Sequence, residues 1–434
     1  MAFELTKEFV QKLVGQPITS FEVKAGSNEG DNVQGVLKAI KVTTTEADTL
    51  NLVHKTIVPD PMMKAFIVEG QTFRIENTFY TTIAPAIEKL IKSHTPEDYK
   101  LPIPKLYAAF NNDCDDYTTM EDLRPSGFKM LNKYKGLSFP EVSLLLHQLG
   151  RFHAFTYYFI KYEGEQFFDT VSPRIKKLAF LEPEKKEEMQ LMQREAANIA
   201  IDLISKRNPE LGKKVEAVLR APDASDAQMH TTLSTDKTYF PVIIHGDMWV
   251  NNIMFKYDVN GKPTDVKFID FQLVRRGNIF EELQYFFLTS TTPEFRRRHL
   301  HQSLEIYYRS FTSTLKGIGC PVPSDFTLGF LVDNLYKAFF CQFHFMAFVI
   351  ALQLGEKPQA PNPPEQVGHL EAPAAPSTAT SEQQPPPAFN LNDIPVEIRI
   401  GGFMAQVRAQ LEGTPRAIDR LVEITEEMAS LGLI

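Results

Sequence analysis

Residues 242–271 read VIIHGDMWVNNIMFKYDVNGKPTDVKFIDF, and this stretch decides the fold of the chain. A β-rich run ends in the sequence His-Gly-Asp, and a short apolar run that follows is predicted as a strand. Asn260 and Gly261 then predict a turn, because an Asn-Gly pair between two apolar runs is a strong hairpin signal. A second strand, 266–269, ends at Asp270. The pattern therefore predicts a β-hairpin with acidic residues at one end.

The hairpin would bring Asp247, Asn252 and Asp270 together at that end. Phosphoryl transfer uses this set: one Asp orients and deprotonates the attacking hydroxyl, while Asn and a second Asp hold Mg²⁺ against the phosphates. An isolated His-Gly-Asp occurs by chance, and a polar turn with a capping Asp and an Asn in a bulge is the alternative. The Asp-x4-Asn step before a hairpin ending in Ile-Asp-Phe is more specific. We therefore predict Asp247 as the catalytic base and Asn252 and Asp270 as metal ligands.

A glycine-containing loop lies between two predicted strands near the start of the chain. Gly26, Ser27, Asn28 and Gly30 would let backbone amides approach a phosphate, because no large side chain intrudes there. An ordinary hairpin turn explains the same residues. Both interpretations stay open.

The segment HGDMWVNNIMFKYD…DVKFIDFQLVRRG resembles the ecdysteroid kinase-like (CHK kinase-like) family, and the resemblance covers nearly the whole chain. That family is grouped with the choline/ethanolamine kinases and the aminoglycoside phosphotransferases, which share a protein-kinase-like fold. The resemblance implies an α+β, bilobal protein. A small antiparallel-sheet lobe for nucleotide binding would span residues 1–119. A larger, mainly helical catalytic and substrate-binding lobe would span residues 120–434.

The family pattern of a lysine after a short apolar strand, followed by F-x-x-E-x-x-x-Y, fits Lys55, Phe73, Glu76 and Tyr80. By resemblance, Lys55 holds the α- and β-phosphates of ATP and Glu76 fixes Lys55. The alternative is a solvated lysine on an edge strand and a surface glutamate on a helix. An unpaired ammonium in an apolar strand would be costly. The ion pair is favoured over the alternative only together with the downstream His-Gly-Asp segment and the resemblance it carries.

The segment 119–123 matches the hinge of the family, where backbone N–H and C=O groups meet the adenine ring. Met120 and Leu123 would supply apolar contacts to that ring. Glu121 belongs to the same predicted nucleotide site, and its side chain and that of Asp122 either bond the ribose or face solvent.

One position departs from the family pattern. Glu282 opens the helix after Asp270, where the family usually has Asp. In related folds this carboxylate accepts hydrogen bonds from the catalytic-loop backbone, so a longer side chain is expected to bond less well. A catalytically silent binder of a nucleotide or hormone therefore stays an alternative to the active enzyme.

Three other residues near these motifs are given structural roles. His245 is expected to anchor its loop through backbone hydrogen bonds, and Trp249 to pack that loop. His153 is interpreted as a core histidine.

Composition limits the class of protein. The net charge is −8 and no Lys/Arg block is longer than Arg296–Arg298, so nucleic acid is not an expected partner. The three cysteines are scattered without a C-x-x-C pair, which predicts a reducing compartment and no disulfide framework. Charged residues near the N-terminus argue against a signal peptide. A cytoplasmic location follows, with ATP and Mg²⁺ as cofactors and no protein partner evident.

Two further segments bear on the larger lobe. Residues 338–355 form a run of 18 residues without Asp, Glu, Lys or Arg, interpreted as a buried helix and not a membrane span. Its phenylalanines either pack the core or line an apolar pocket. Residues 356–388 are rich in Pro, Ala and Gln and are predicted as a disordered surface insertion.

The substrate is inferred from the resemblance alone. It implies an ecdysteroid or another lipophilic alcohol, including xenobiotics in a detoxification role. A choline/ethanolamine-type kinase is the alternative, but the box of aromatics and carboxylates needed around such a cation is not identifiable in the sequence.

Overall fold

The computed structural model describes residues 5–26, 35–58, 61–95, 99–113, 115–171, 185–221, 240–355 and 394–434. Ser27, Asn28 and Gly30 of the predicted phosphate loop lie outside these residues, and so does the tract 356–388. What the sequence predicts for them stays a prediction.

The first part of the chain forms a five-stranded antiparallel sheet in the order β1-β2-β3-β5-β4. Helix α1 (Lys7–Val14) covers one face, and its buried Val10 and Leu13 pack with Ile40 and Leu52 of the sheet. Burial of these apolar side chains holds the helix on the sheet. The strands are β1 (Ile18–Ala25), β2 (Gly35–Thr44), β3 (Thr49–Ile57), β4 (Leu106–Phe110) and β5 (Tyr117–Glu121).

Between β3 and β4 the chain is helical. Helix α2 (Pro61–Gly70) is followed by α3 (Thr72–Thr78), a π-helical segment (Phe79–Ile83) and α4 (Ala84–His94). The predicted helix around Glu76 is therefore present. The π segment is an additional feature, and such segments recur at functional sites.

Two small sheets carry the segment that the sequence singles out. One joins β6 (Phe128–Met130), β8 (Ile253–Tyr257) and β9 (Pro263–Phe268), and the other pairs β7 (Pro241–Ile244) with β10 (Arg275–Asn278). The predicted hairpin is confirmed as the β8–β9 pair. The predicted second strand, 266–269, differs at both ends, because β9 begins three residues earlier, at Pro263, and its strand pairing ends one residue earlier, at Phe268. The residue after Phe268 instead donates its N–H to the Asn252 carbonyl at 3.0 Å.

Long helices build most of the remaining core. Two of them, Phe139–Glu163 and Pro293–Gly317, pack together, with Leu149, Phe152 and Tyr307 fully buried. In the described chain these helices are α5 (Phe139–Glu163), α6 (Glu165–Val171), α7 (Lys186–Arg207), α8 (Pro209–Leu219), α9 (Ile279–Ser290), α10 (Pro293–Gly317), α11 (Leu328–Leu354), α12 (Val396–Glu412) and α13 (Pro415–Ser430).

The mixed α+β class with an antiparallel sheet and many helices is thus confirmed. The bilobal division at residues 119 and 120 stays a prediction. The apolar run at 338–355 lies mostly in α11, and its Ala338, Phe339 and Ile350 are buried in the core. Among the described helices, none combines the length and apolar character needed to cross a membrane.

Candidate active site

The loop after β7 places the predicted catalytic Asp247. Gly246 has φ +83°, which favours glycine, and a Cβ added there would overlap the carbonyl oxygen of Leu273. The His-Gly-Asp sequence therefore has a glycine because both the backbone conformation and the available space require it. His245 anchors the loop as expected: its Nε2 lies 2.8 Å from the Ile269 carbonyl, and its Nδ1 accepts the Asp247 N–H.

Both carboxylate oxygens of Asp247 have partners. The Tyr285 hydroxyl donates to Oδ1 at 2.6 Å, and the Asn252 amide donates to Oδ2 at 3.0 Å. Burial raises the pKa of Asp247, and the nearby charge of Asp270 raises it further, while the hydrogen bonds from Tyr285 and Asn252 act in the opposite direction. The carboxylate is thus held in one orientation with a pKa above its ordinary value.

Glu282 makes the two hydrogen bonds that a shorter aspartate would be expected to make. Its carboxylate accepts the His245 N–H at 2.5 Å and the Gly246 N–H at 3.0 Å. His153 Nε2 lies 3.5 Å from the same carboxylate, so this buried core histidine also contacts the loop support. Burial raises the pKa of Glu282, but His153 and His245 lower it more, and the net pKa is below the ordinary value. The expected loss of bonding from the extra methylene is therefore not observed.

Asp270 lies beside Asn252 and carries unusual backbone geometry. Its φ is +68°, in the left-handed region that non-glycine residues rarely adopt. Ile269, the residue before Asp270, is held on both sides: its N–H donates to the Asn252 carbonyl at 3.0 Å, and its carbonyl lies 2.8 Å from His245 Nε2. Backbone strain of this kind recurs at functional sites.

Lys55 joins Asp270 to Glu76. Its Nζ lies 2.7 Å from Glu76 Oε2 and 2.6 Å from Asp270 Oδ1. Burial alone would lower the pKa of the Lys55 ammonium, but the two carboxylates outweigh it and raise the pKa. The Glu76 side chain is 0% exposed, and its burial raises the pKa of that carboxyl. The ion pair predicted from the sequence is confirmed, whereas its functional role stays a proposal.

Apolar packing connects the helix of Glu76 to the loop of Asp270. The Phe271 ring stacks on the Phe79 ring with centroids 4.1 Å apart. The Tyr80 ring packs nearly perpendicular to the Phe271 ring, with centroids 5.7 Å apart. Both Phe79 and Phe271 are fully buried. Phe271, the residue after Asp270, therefore packs the segment that follows the Glu76 helix against the loop that carries Asp270.

The predicted hinge is buried, and its backbone groups are partly occupied. The N–H groups of Glu121 and Asp122 donate to the carbonyls of Lys105 and Asn51. Leu123 is the next residue along. It packs in a small apolar cluster (Leu123, Phe128, Met254 and Ile269) that adjoins Asp270 in sequence. Met120 is 7% exposed and contributes to the main core, which leaves little of its surface for a ligand.

At the start of the predicted phosphate loop, Gly26 pairs closely with β2. Its N–H donates to the Leu37 carbonyl at 2.8 Å, and an added Cβ would overlap that backbone. Arg124 reaches the same point from the hinge side: it donates to the Gly26 carbonyl at 2.7 Å and bonds both Asp122 oxygens at 2.8 Å. The hinge and the start of the loop are therefore bridged by one guanidinium.

A family model for the ecdysteroid kinase-like family matches residues 29–320 of the chain. The chain belongs to the ecdysteroid kinase-like family. The match includes Lys55, Glu76, the hinge and the Asp247–Asp270 segment, so the resemblance stated from the sequence is confirmed over residues 29–320, which is less of the chain than predicted. A search of curated proteins finds no match. The family indicates a small-molecule kinase, and kinase-like proteins of this kind generally use ATP and Mg²⁺.

The residues present fit the Mg²⁺ that the ecdysteroid kinase-like family implies. Asn252 directs both hydrogen bonds of its amide nitrogen to Asp247, one to the backbone oxygen at 2.8 Å and one to Oδ2. The amide oxygen is then the side-chain atom of Asn252 left to bind a cation, and Asp270 follows Ile269, whose N–H bonds the Asn252 carbonyl. Mg²⁺ is commonly held by one or two such oxygens together with substrate phosphates. In the part of the chain that the structure describes, no group of three or more His, Cys, Asp or Glu side chains could hold a metal ion.

Several contacts of this site were missed by sequence reasoning. The sequence patterns give no role to Tyr285 or Gln353, yet the two side chains bond in a chain to Asp247. A polar residue inside an apolar helix was the one available signal for Gln353. Trp249 is half-buried and packs against the main core, as expected.

Proposed function

We propose that this protein is an ATP-dependent kinase that transfers the γ-phosphoryl group to a hydroxyl of an ecdysteroid or a similar lipophilic alcohol or xenobiotic. The observation that carries the proposal is the convergence of Asp247, Asn252 and Asp270 beside the Lys55–Glu76 ion pair. These groups come from three distant segments, and their chemistry matches the parts that phosphoryl transfer uses.

In the proposed reaction, the acceptor hydroxyl donates its proton to Asp247 while its oxygen bonds to the γ-phosphorus. The bond between that phosphorus and the ADP oxygen breaks, and ADP leaves with the electron pair. Mg²⁺ held by Asp270 and Asn252 would neutralise phosphate charge. Positioning and charge neutralisation supply most of the rate in such reactions.

The proposed role of Lys55 follows from its hydrogen-bonding capacity. An ammonium has three N–H donors, and Glu76 and Asp270 accept two of them. The third donor is available for an α- or β-phosphate oxygen. Glu76 then positions Lys55, as the family resemblance implies.

We assign adenine binding to the hinge. Since the N–H groups of Glu121 and Asp122 already bond protein carbonyls, the Leu123 N–H is the donor we propose for the adenine edge. The loop at Gly26, Ser27, Asn28 and Gly30 is proposed to cover the phosphates. The bilobal arrangement, the cytoplasmic location and the detoxification role belong to the same proposal.

The alternatives differ in what supports them. A choline/ethanolamine-type kinase rests on kinship of fold only. A silent binder was favoured by Glu282, but this residue makes both loop hydrogen bonds, so it no longer favours an inactive site.

A product screen tests the proposal. Wild type, Asp247→Asn and Asp265→Asn would be incubated with ATP, Mg²⁺ and a panel of ecdysteroids, other sterols, plant glycosides and choline, and phosphorylated products detected by mass spectrometry. Asp265 is an exposed carboxylate of the same hairpin and serves as the matched control. We expect Asp247→Asn to lower the rate by about 10²–10⁴-fold, with Asp265→Asn like wild type. Equal rates for wild type and Asp247→Asn would refute the assignment, and product from choline alone would select the alternative.

A further inference from the structure

The Tyr285 hydroxyl lies at the centre of a short hydrogen-bond chain. It donates to Asp247 Oδ1 at 2.6 Å and accepts from Gln353 Nε2 at 2.8 Å. Tyr285 belongs to α9 and Gln353 to the last turn of α11, so the chain connects two helices to the catalytic loop.

The direction of these bonds is fixed by chemistry. The nitrogen of the Gln353 amide only donates, so the Tyr285 oxygen must accept from it. The single hydroxyl proton of Tyr285 is then directed to Asp247. The Gln353 side chain is itself buried, at 5% exposure for the residue, which keeps its amide in place.

The two ends of the Asp247 carboxylate are consequently held from opposite sides. Tyr285 holds Oδ1 and Asn252 holds Oδ2, so rotation of the carboxylate would break a hydrogen bond at either end. Each oxygen keeps a further lone pair for an acceptor hydroxyl. A base that rotates freely would present that lone pair in line with the transferred phosphoryl group only part of the time.

We infer that Tyr285 is a positioning residue for the Asp247 base, and that Gln353 acts through Tyr285. This inference rests on the proposed function. Tyr285 orients the carboxylate that receives the proton of the acceptor hydroxyl, and Gln353 directs the Tyr285 proton to that carboxylate. The pair contributes to turnover and not to ATP binding.

Four variants separate positioning from a structural role: Tyr285→Phe, Gln353→Leu, the double variant, and Tyr134→Phe. Tyr134 donates its hydroxyl to the Leu354 carbonyl at 3.3 Å, so its variant loosens the same end of α11 without touching Asp247. For each, kcat, KM for ATP, KM for the acceptor and the melting temperature would be measured, using the acceptor found in the product screen.

We expect Tyr285→Phe to lower kcat by roughly 10- to 100-fold, the size of effect that misplacement of a reacting group produces. The KM for ATP should stay within twofold of wild type. Gln353→Leu should lower kcat by a smaller factor, and the double variant should lose no more than Tyr285→Phe alone. Tyr134→Phe should have the kcat of wild type.

If Tyr285→Phe folds, either of two results would overturn the inference while leaving the proposed function intact. One is a kcat for Tyr285→Phe within twofold of wild type, when Asp247→Asn is inactive. The other is a loss of kcat in the double variant that equals the product of the losses in the two single variants. Effects that combine independently in this way indicate two separate structural roles. Should Tyr285→Phe fail to fold, an unchanged kcat in folded Gln353→Leu would overturn the inference as well. Wild type that phosphorylates no acceptor would refute the proposed function itself, and with it this inference.

Discussion

Replacing Lys55 by methionine removes the one ammonium that bonds both Glu76 and Asp270. The ammonium is 2.7 Å from a glutamate that is 0% exposed and 2.6 Å from an aspartate that is 30% exposed. Breaking a buried pair by removing one partner typically costs about 3–5 kcal/mol, because the other charge is left uncompensated. We expect Lys55→Met to lower the free energy of unfolding at pH 7 by an amount of this order.

Glu76→Gln should cost much less than Lys55→Met, although both variants break the same ion pair. In Glu76→Gln, Lys55 keeps Asp270, and one of two neighbouring carboxylate charges is removed. In the double variant Lys55→Met/Glu76→Gln, the uncompensated buried carboxylate is gone. Part of the stability lost in Lys55→Met should therefore return.

The pH dependence has a definite sign. The pKa of Glu76 is already raised by burial, and loss of the Lys55 charge raises it further. The folded state of Lys55→Met then binds more protons than the unfolded state. Stability consequently rises as pH falls from 7 towards the ordinary glutamate value of 4.5, and the deficit relative to wild type shrinks.

Urea unfolding followed by circular dichroism at pH 7 and pH 5 measures these differences. Unfolding would be run on wild type, both single variants and the double variant. Equal losses for Lys55→Met and Glu76→Gln, or a double variant as unstable as the sum of the two, would refute the reasoning. A deficit that grows at pH 5 would do the same.

Two further predictions concern the sheet and the hinge. Arg124→Ala should raise the KM for ATP several-fold, because it removes the bridge from Asp122 to the Gly26 carbonyl. The melting temperature should change little, because the Arg124 side chain is half-exposed. Steady-state kinetics and thermal melting check this, and an unchanged KM would contradict it. Burial, with a contribution from the charge of Lys38, lowers the pKa of His54 from 6.5 to about 4. Relative to His54→Gln, wild type should therefore lose stability as pH falls from 6.5 to 4, by up to about 3 kcal/mol. The free energy of unfolding of both proteins would be measured across that range, and a constant difference between them would rule the prediction out.

Residues that are close together in the sequence were enough to predict part of the site. Asp247 and Asn252 are five residues apart, and their hydrogen bonds form within one loop, so a spacing in the sequence predicts them. The β8–β9 hairpin follows from its turn residues for the same reason. Lys55 and Glu76 are 21 residues apart, and their pairing was inferred from family resemblance combined with the cost of an unpaired buried charge.

Other contacts depend on how distant elements pack. Tyr285 is 38 residues from Asp247, and Gln353 is 68 residues from Tyr285. Periodicity predicts which face of a helix is buried, but it does not predict which polar group that face meets. Glu282 shows the same limit: its extra methylene suggested weaker bonding, whereas the actual separation of helix and loop lets it reach two backbone N–H groups.

The charges of the site explain why the sequence motif alone does not hold these residues together and tertiary packing is also needed. Glu76 and Asp270 share the Lys55 ammonium, and the charge of Asp270 raises the pKa of both Glu76 and Asp247, so repulsion between Asp270 and these two carboxylates opposes the arrangement. No short segment holds such a set together by itself. The stacking of Phe271 on Phe79 and the backbone bond from Ile269 to Asn252 supply the opposing stabilisation. Both contacts flank Asp270, whose φ of +68° lies in the left-handed region, so the strained conformation of this residue is held by the packing and hydrogen bonding of its neighbours in the chain.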